Sequence, residues 1–325
     1  MRYLDPRADL TFKRVFGEHP DLVISLINAL LPLDKDHQVK SVEYIPIELV
    51  PDNPLKKNSI VDVRCKDSEG RQFLVEMQMI WSEEFKQRVL FNACKAYVRQ
   101  LDRKEQYELL QPVYSLNLVN DIFQKDSSDY YHHYDVADVD HPDTVIEGLH
   151  LIFIELPKFK PQNYSQKKMQ VLWLRYLTEM GDAQRAPKEL LEDPEVSKAI
   201  EILEESSYTE AQLNGYDKFW DIVRTEKTYY NSARQRGIAE GRAEGRAEGR
   251  AEGRAEGRAE GRAEGRAEGR AEGRAEGRAE GRAEGRAEGE HQAKISNAQA
   301  MKADGMSIES IAKYTGLSVE EIAAL

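Results

Sequence analysis

SIVDVRCKDSEGRQFLVEMQMIW, residues 59–81, alternates twice and turns once. Val61, Val63 and Cys65 interleave with Ile60, Asp62 and Arg64, while Phe73, Val75, Met77 and Met79 interleave with Leu74, Glu76, Gln78 and Ile80. Period-two patterns of this kind form strands whose successive side chains point to opposite faces. Between them lies Asp67-Ser68-Glu69-Gly70-Arg71, which predicts a three-residue loop, Ser68 to Gly70, with Gly70 left-handed. That loop sets Asp67 opposite Arg71, and counting back sets Asp62 opposite Glu76. Directly opposed residues share a face, with Cβ atoms about 4.5–5.5 Å apart. Two carboxylates therefore meet on one side of the hairpin, with Gln78 two residues further along it.

Before the hairpin, Phe12, Val15 and Phe16, then Leu22, Val23, Leu26, Ile27, Leu30 and Leu31, recur at helical spacing around a break at Gly17–Pro20. Asp9 is placed to cap the first helix, and Pro32 stops the second. Val42 to Val50 reads as a strand ended by Pro51 and Pro54. After the hairpin, Phe85 to Leu110 reads as one long helix, and Val113–Val119 and Leu149–Leu156 as buried strands. An acidic, aromatic loop with His132 and His133 lies between those strands. Residues 162–236 read as helices, with Trp173, Tyr176 and Leu177 on an apolar face. The order predicts a mixed α/β sheet flanked by helices, over residues 1–160, and a helical extension over 161–236.

The net charge of −12 is unevenly spread. Residues 1–100 hold 15 basic and 15 acidic residues, whereas residues 101–160 hold 5 against 12. No basic stripe is present of the kind a non-specific nucleic-acid binder uses to neutralise many phosphates. An enzyme that grips phosphate through a metal needs less fixed positive charge. No run of eighteen apolar residues occurs, so no membrane span is expected. Met1 to Gly17 is charged throughout without an apolar signal segment, which points to the cytoplasm. Two cysteines, Cys65 and Cys94, are too few for a disulfide framework or a cysteine zinc cluster.

Ala239 to Arg286 is Ala-Glu-Gly-Arg twelve times, followed by the altered copy Ala287-Glu288-Gly289-Glu290, within a tract spanning 237–290. A period of four against the helical 3.6 turns each residue type about 40° per copy, so no fixed apolar face forms. Helical neighbours at i,i+4 are identical, setting Glu against Glu and Arg against Arg. The tract reads as a solvated spacer; a packed helix between copies of the chain is the alternative. The tail, 291–325, predicts two short helices, Ile308–Tyr314 and Val319–Leu325, around Thr315-Gly316-Leu317-Ser318. The second carries Glu320 and Glu321 and no Lys or Arg, which suits a capping or interaction hairpin better than a base-reading helix. Self-association would run through the tract or the tail.

A hard divalent ion held by one or two carboxylates supplies charge neutralisation and an activated water for phosphodiester hydrolysis. Asp62 and Glu76 offer such a seat, the Met77 carbonyl would complete it, and Gln78 would orient the water. The alternative is an ordinary acidic pair on a half-exposed hairpin. His132, His133 and His141 read as solvated loop residues, and Tyr97 and Tyr107 as core residues with bonded hydroxyls. Trp81 either packs or stacks on a base.

Asp62 followed fourteen residues on by Glu76-Met77-Gln78 resembles the PD-(D/E)XK signature in its Glu-X-Gln form. More of the chain, from Asp9-Leu10-Thr11-Phe12-Lys13-Arg14-Val15-Phe16-Gly17 through Ser59–Val63 and Phe73–Gln78, is similar to the bacterial recombination-promoting nuclease and transposase family. Arg88, Tyr97, Gln100-Leu101, Tyr107 and Pro112-Val113 continue the likeness. The resemblance implies a restriction-endonuclease-like core that cleaves DNA with Mg²⁺, or Mn²⁺ in its place, in recombination or for a mobile element. It makes Asp62 and Glu76 metal ligands, puts Gln78 where the wider superfamily has lysine, and makes Asp9 either an additional acidic site residue or a helix cap. The charge lost with that lysine would come from Lys13, Arg64 or Arg88, with Arg88 preferred. A catalytically silent binding or assembly protein on the same fold is the rival reading.

Overall fold

The hairpin forms in the expected register. The computed structural model describes residues 2–49, 60–101, 106–161, 168–181 and 183–325. In it β2 (Val63–Asp67) and β3 (Gln72–Gln78) run antiparallel, with Val63 opposite Val75 and Lys66 opposite Gln72. The Asp67 N–H donates to the Arg71 carbonyl at 3.1 Å, and Gly70 has φ of 86°. Asp67 locks the turn: its Oδ1 accepts from the N–H groups of Glu69 and Arg71, and its Oδ2 from the Arg71 guanidinium. A Cβ at Gly70 would lie 3.2 Å from Gln111 Cγ in a left-handed backbone. Gly70→Ala is expected to cost about 1–2 kcal/mol, read as a lower urea midpoint at unchanged slope.

β1 (Val42–Tyr44) pairs antiparallel with β2, and β4 (Val113–Val119) parallel with β3. β6 (Val145–Glu155) pairs parallel with β4 and antiparallel with β5 (Tyr131–Ala137). The result is a mixed six-stranded sheet in the order β1-β2-β3-β4-β6-β5. On one face α1 (Asp9–Gly17), α2 (Pro20–Leu30) and α4 (Lys168–Glu179) bury Phe12, Phe16, Leu26 and Trp173 against Val63, Phe73, Val75 and Ile152. Phe16 meets Trp173 and Tyr176 edge-on, at centroid distances of 5.5 and 6.4 Å. On the other face α3 (Glu83–Val98), the crossover between the parallel strands β3 and β4, sets Ala93 and Ala96 against Leu74 and Val113. Further along α3, Phe85 and Val89 pack with Trp81, Val119 and Phe153. Covered on both sides, β3 and β4 carry apolar residues on both faces, Phe73, Leu74 and Val75 in succession and Leu118 beside Val119, with Glu76 and Asn117 as buried polar exceptions.

α5 (Lys188–Leu191) and α6 (Pro194–Ile202) add Leu190, Val196 and Ile200 to the first cluster. The chain start is tied to this region, the Leu4 N–H donating to the Leu203 carbonyl at 2.8 Å. Residues 1–233 form one compact unit, and residues 234–325 a second. α7 (Glu210–Ala303) is helical through the repeat tract, whose side chains are all exposed. Arg286 and Glu290, 3.3 Å apart at i,i+4, pair because the altered last copy puts Glu where every other copy has Arg. In the second unit α8 (Ile308–Thr315) and α9 (Val319–Ala324) flank left-handed Gly316, close to the expected bounds. Ile311, Leu317 and Ile322 close over Ala298 of α7, and Ser318 and Glu321 form a reciprocal cap on α9. Among the described residues no helix is long and apolar enough to cross a membrane.

Three elements differ from expectation. The strand expected over Val42–Val50 ends at Tyr44; the Ile45 N–H still donates to the Arg64 carbonyl, Pro46 has no N–H to continue the ladder, and pairing returns as a bridge from Glu48 to Ile60; Val50 lies outside the described residues. The helix expected to reach Leu110 ends at Val98. There the Gln100 side chain bonds both the N–H and the carbonyl of Gln111, drawing the chain into a turn; residues 102–105 lie outside the described residues. The acidic, aromatic loop carries the edge strand β5, which takes its hydrogen bonds from β6.

Candidate active site

Alternation along β3 sends Phe73 and Val75 to the α1 face and Leu74 and Glu76 toward α3. Glu76 is only 5 % exposed, so the reading of an ordinary half-exposed pair is set aside for this carboxylate. Its Oε1 accepts a 3.0 Å hydrogen bond from Asn92 Nδ2, and its Oε2 lies 3.6 Å from Arg88 Nη2. Arg88 and Asn92 stand at i,i+4 on α3, the spacing that stacks two donors on one helix face. Arg88 Nη2 also donates to Gln78 Oε1 at 2.7 Å, and Gln78 Nε2 donates to the Ile80 carbonyl at 2.6 Å.

Asp62 lies one step beyond the Val63–Val75 pair, in the bend entering β2. Its Oδ2 accepts from the Met77 N–H at 2.8 Å, so Met77 touches the site through its backbone nitrogen. The Asp62 side chain is 24 % exposed and its Oδ1 lies 3.8 Å from Lys13 Nζ of α1. Lys13 is bound more closely, at 2.6 Å, by Asp9 Oδ1. Asp9 is the first residue of α1, behind Ala8 at the cap position, and no side chain caps this helix. The capping expectation for Asp9 thus gives way to an ion pair with Lys13 at the edge of the acidic site. Four segments converge here: α1, the bend before β2, β3 and α3.

Burial pushes the Glu76 carboxyl up to about 7 and the Asp62 charge adds to the rise, while Arg88 and Asn92 oppose it. Asp62 is raised too, chiefly by burial and further by Asp9; the Met77 N–H, Lys13 and Arg88 pull it back. Carboxylates that resist ionisation beside one another need positive charge. The donor set is hard oxygen, which fits a divalent ion of the Mg²⁺ class. Arg64 supplies no charge here. It is buried and donates to the Pro46 carbonyl and Gln72 Oε1, leaving Arg88 and Lys13 as the cations of the site.

Asn92 was not singled out from the sequence, although a polar residue on the stripe Phe85, Val89, Asn92 and Ala96 is a usable signal. Trp81 packs, stacking on Phe123 at 4.2 Å. Tyr97 packs at the edge of the α3 cluster, whereas Tyr107 is 84 % exposed and is no core residue, because α3 ends before it. His132 is not solvated: its Nε2 lies 2.8 Å from Glu155 Oε1, a fully buried carboxylate that also holds Lys158 at 2.8 Å. His133 and His141 are exposed as expected, His133 with Asp135 as a partner at 2.9 Å.

No curated protein and no solved structure matches the chain. A family model described as PD-(D/E)XK nuclease family transposase matches residues 6–233, a span that takes in the whole sheet and α1 to α6. On that match and its restriction-endonuclease-like mixed sheet, the chain belongs to the PD-(D/E)XK nuclease transposase family.

Proposed function

We propose that this chain is an endonuclease that hydrolyses DNA phosphodiester bonds with Mg²⁺, or Mn²⁺ in its place, in recombination or in the movement of a mobile element. The observation that carries the proposal is the convergence of Asp62 and Glu76, both with raised carboxyl pKa, inside a nuclease family fold. Asp62 and Glu76 would hold the cation, with the Met77 carbonyl as a third oxygen. When bound, the ion supplies charge neutralisation at phosphate and a more acidic water. Gln78 uses one acceptor position on Arg88 and one donor on Ile80. An amide has two of each, so one donor and one acceptor remain to orient a water. Arg88, half exposed and fixed by Gln78, replaces the charge of the lysine usual at that place and is set to meet a phosphate oxygen.

The silent-fold reading draws on the same contacts, since Arg88 and Asn92 already partner Glu76. Supercoiled plasmid separates the two. Nicking by the full chain is expected with Mg²⁺ or Mn²⁺ and none with chelator. Plasmid bound but left intact under every cation would establish the silent reading instead.

A further inference from the structure

A second constellation lies on the sheet face opposite Glu76. His133 and Asp135, two apart on β5, point to one side. The register pairs His133 with Ile152 and Tyr134 with Leu151, which brings His150 of β6 opposite Asp135. The ladder then shifts, Val136 pairing with Ile146, so Asp135 stands at an irregularity of the kind that re-aims a side chain. His133 Nε2 and His150 Nδ1 approach the same oxygen, Asp135 Oδ1, at 2.9 and 2.7 Å. Among the described residues this is the one group of three His, Cys, Asp or Glu whose ligand atoms all lie within 4.8 Å of one another.

The group is separate from the acidic site. His150 pairs through Tyr114 to Phe73, on the α1 side of the sheet, two strands away from Glu76's own and on the other face. At about 4.8 Å per strand that is roughly 10 Å sideways before the sheet thickness is added. Tyr114 stacks on the His150 ring at 4.5 Å, which fixes its plane. His150 is 7 % exposed, and its Nε2 is buried without a hydrogen bond, Glu147 Oε2 lying 3.2 Å away but off the bonding direction.

We propose that His133 Nε2, Asp135 Oδ1 and His150 Nδ1 form a second metal site, for a borderline divalent cation of the Zn²⁺ class. Two imidazoles and one carboxylate suit such an ion, whereas the all-oxygen set at Asp62 and Glu76 suits Mg²⁺. Tetrahedral bonds of about 2.0–2.1 Å place ligand atoms about 3.3 Å apart, so each contact opens by roughly half an ångström on binding. Coordination through Nδ1 leaves the His150 ring proton on Nε2, where Glu147 is the carboxylate that would receive it. Ligating histidines are commonly oriented by such a partner. Asp135 and His133 are partly exposed, which leaves the fourth position to water. The ion would clip edge strand β5, whose side chains are largely exposed, onto β6.

The test uses the full chain stripped with chelator and titrated with Zn²⁺ by calorimetry, with Co²⁺ as an optical probe. One Zn²⁺ per chain is expected at this site. Affinity should fall by about 100-fold or more in His133→Ala and Asp135→Asn, and persist in Asp62→Asn and Glu76→Gln. Co²⁺ should show the visible bands of tetrahedral coordination, lost in His133→Ala. His133 is exposed enough for its removal to leave the fold intact, which circular dichroism checks. Equal Zn²⁺ affinity in the parent and His133→Ala, or loss of Zn²⁺ binding in Asp62→Asn instead, overturns the proposal.

Discussion

Asp62→Asn and Glu76→Gln are each expected to lower plasmid nicking about 10³-fold or more while leaving a folded chain. Each removes one of the few anionic oxygens that would seat the cation. Several kcal/mol of transition-state stabilisation at 1.36 kcal/mol per decade gives that scale. These substitutions keep the neutral hydrogen bonds: an amide oxygen at position 76 still accepts from Asn92, and one at 62 still accepts from the Met77 N–H. The Asn92 and Met77 donors therefore stay paired, while the ion pairs to Arg88 and Lys13 are lost, and circular dichroism checks that each variant is folded. Because both carboxylates would act on one ion, the double variant should be scarcely worse than either single one. Full nicking by either single variant ends the hydrolytic reading, and equal nicking by all of them identifies a contaminant.

The hairpin was legible because its signals are local and agree. Gly70 demands a left-handed loop, Asp67 and Arg71 bracket it, and period-two counting carries the register back to Asp62. That Asp62 and Glu76 face each other follows from that arithmetic, and their reading as metal ligands comes from the family resemblance. Arg88 was legible as the preferred one of three cations, without the Gln78 and Glu76 contacts that place it. Arg64 shares Asp62's alternation but lies deeper in the strand, where its two terminal nitrogens donate to the Pro46 carbonyl and to Gln72 Oε1. Asn92 stayed hidden because helical spacing marks which face a residue is on, and not which strand residue lies across from it. β5 was missed for a different reason. An edge strand with exposed side chains has no apolar alternation to display, and its order comes from the backbone of β6. The end of α3 was overrun because Leu101 and Tyr107 keep helical spacing after the helix has stopped, Gln100 having bonded Gln111.

The same Glu76 should be visible in stability against pH. Its carboxyl is raised from an ordinary 4.5 to about 7 in the folded chain. Between those values the native state holds a proton that the unfolded chain has released, so unfolding free energy falls as pH rises. The contribution is fully present below 4.5 and is lost as pH passes through about 7. At 1.36 kcal/mol per pH unit the loss amounts to about 3 kcal/mol. Urea unfolding in chelator at several pH values, parent minus Glu76→Gln, isolates it from other titrating groups; Asp62, raised in the same direction, remains in both chains. A difference that stays flat from pH 4.5 to 8 would show that Glu76 is not buried as described. Adding Mg²⁺ makes the measurement one of function as well. A cation that binds only the ionised native site stabilises by mass action, so Mg²⁺ should recover stability in the parent at pH 8, do little at pH 5, and do little in Glu76→Gln at either. Equal stabilisation of the two chains at pH 8 would place the ion elsewhere, since the charge it neutralises would then not be that of Glu76.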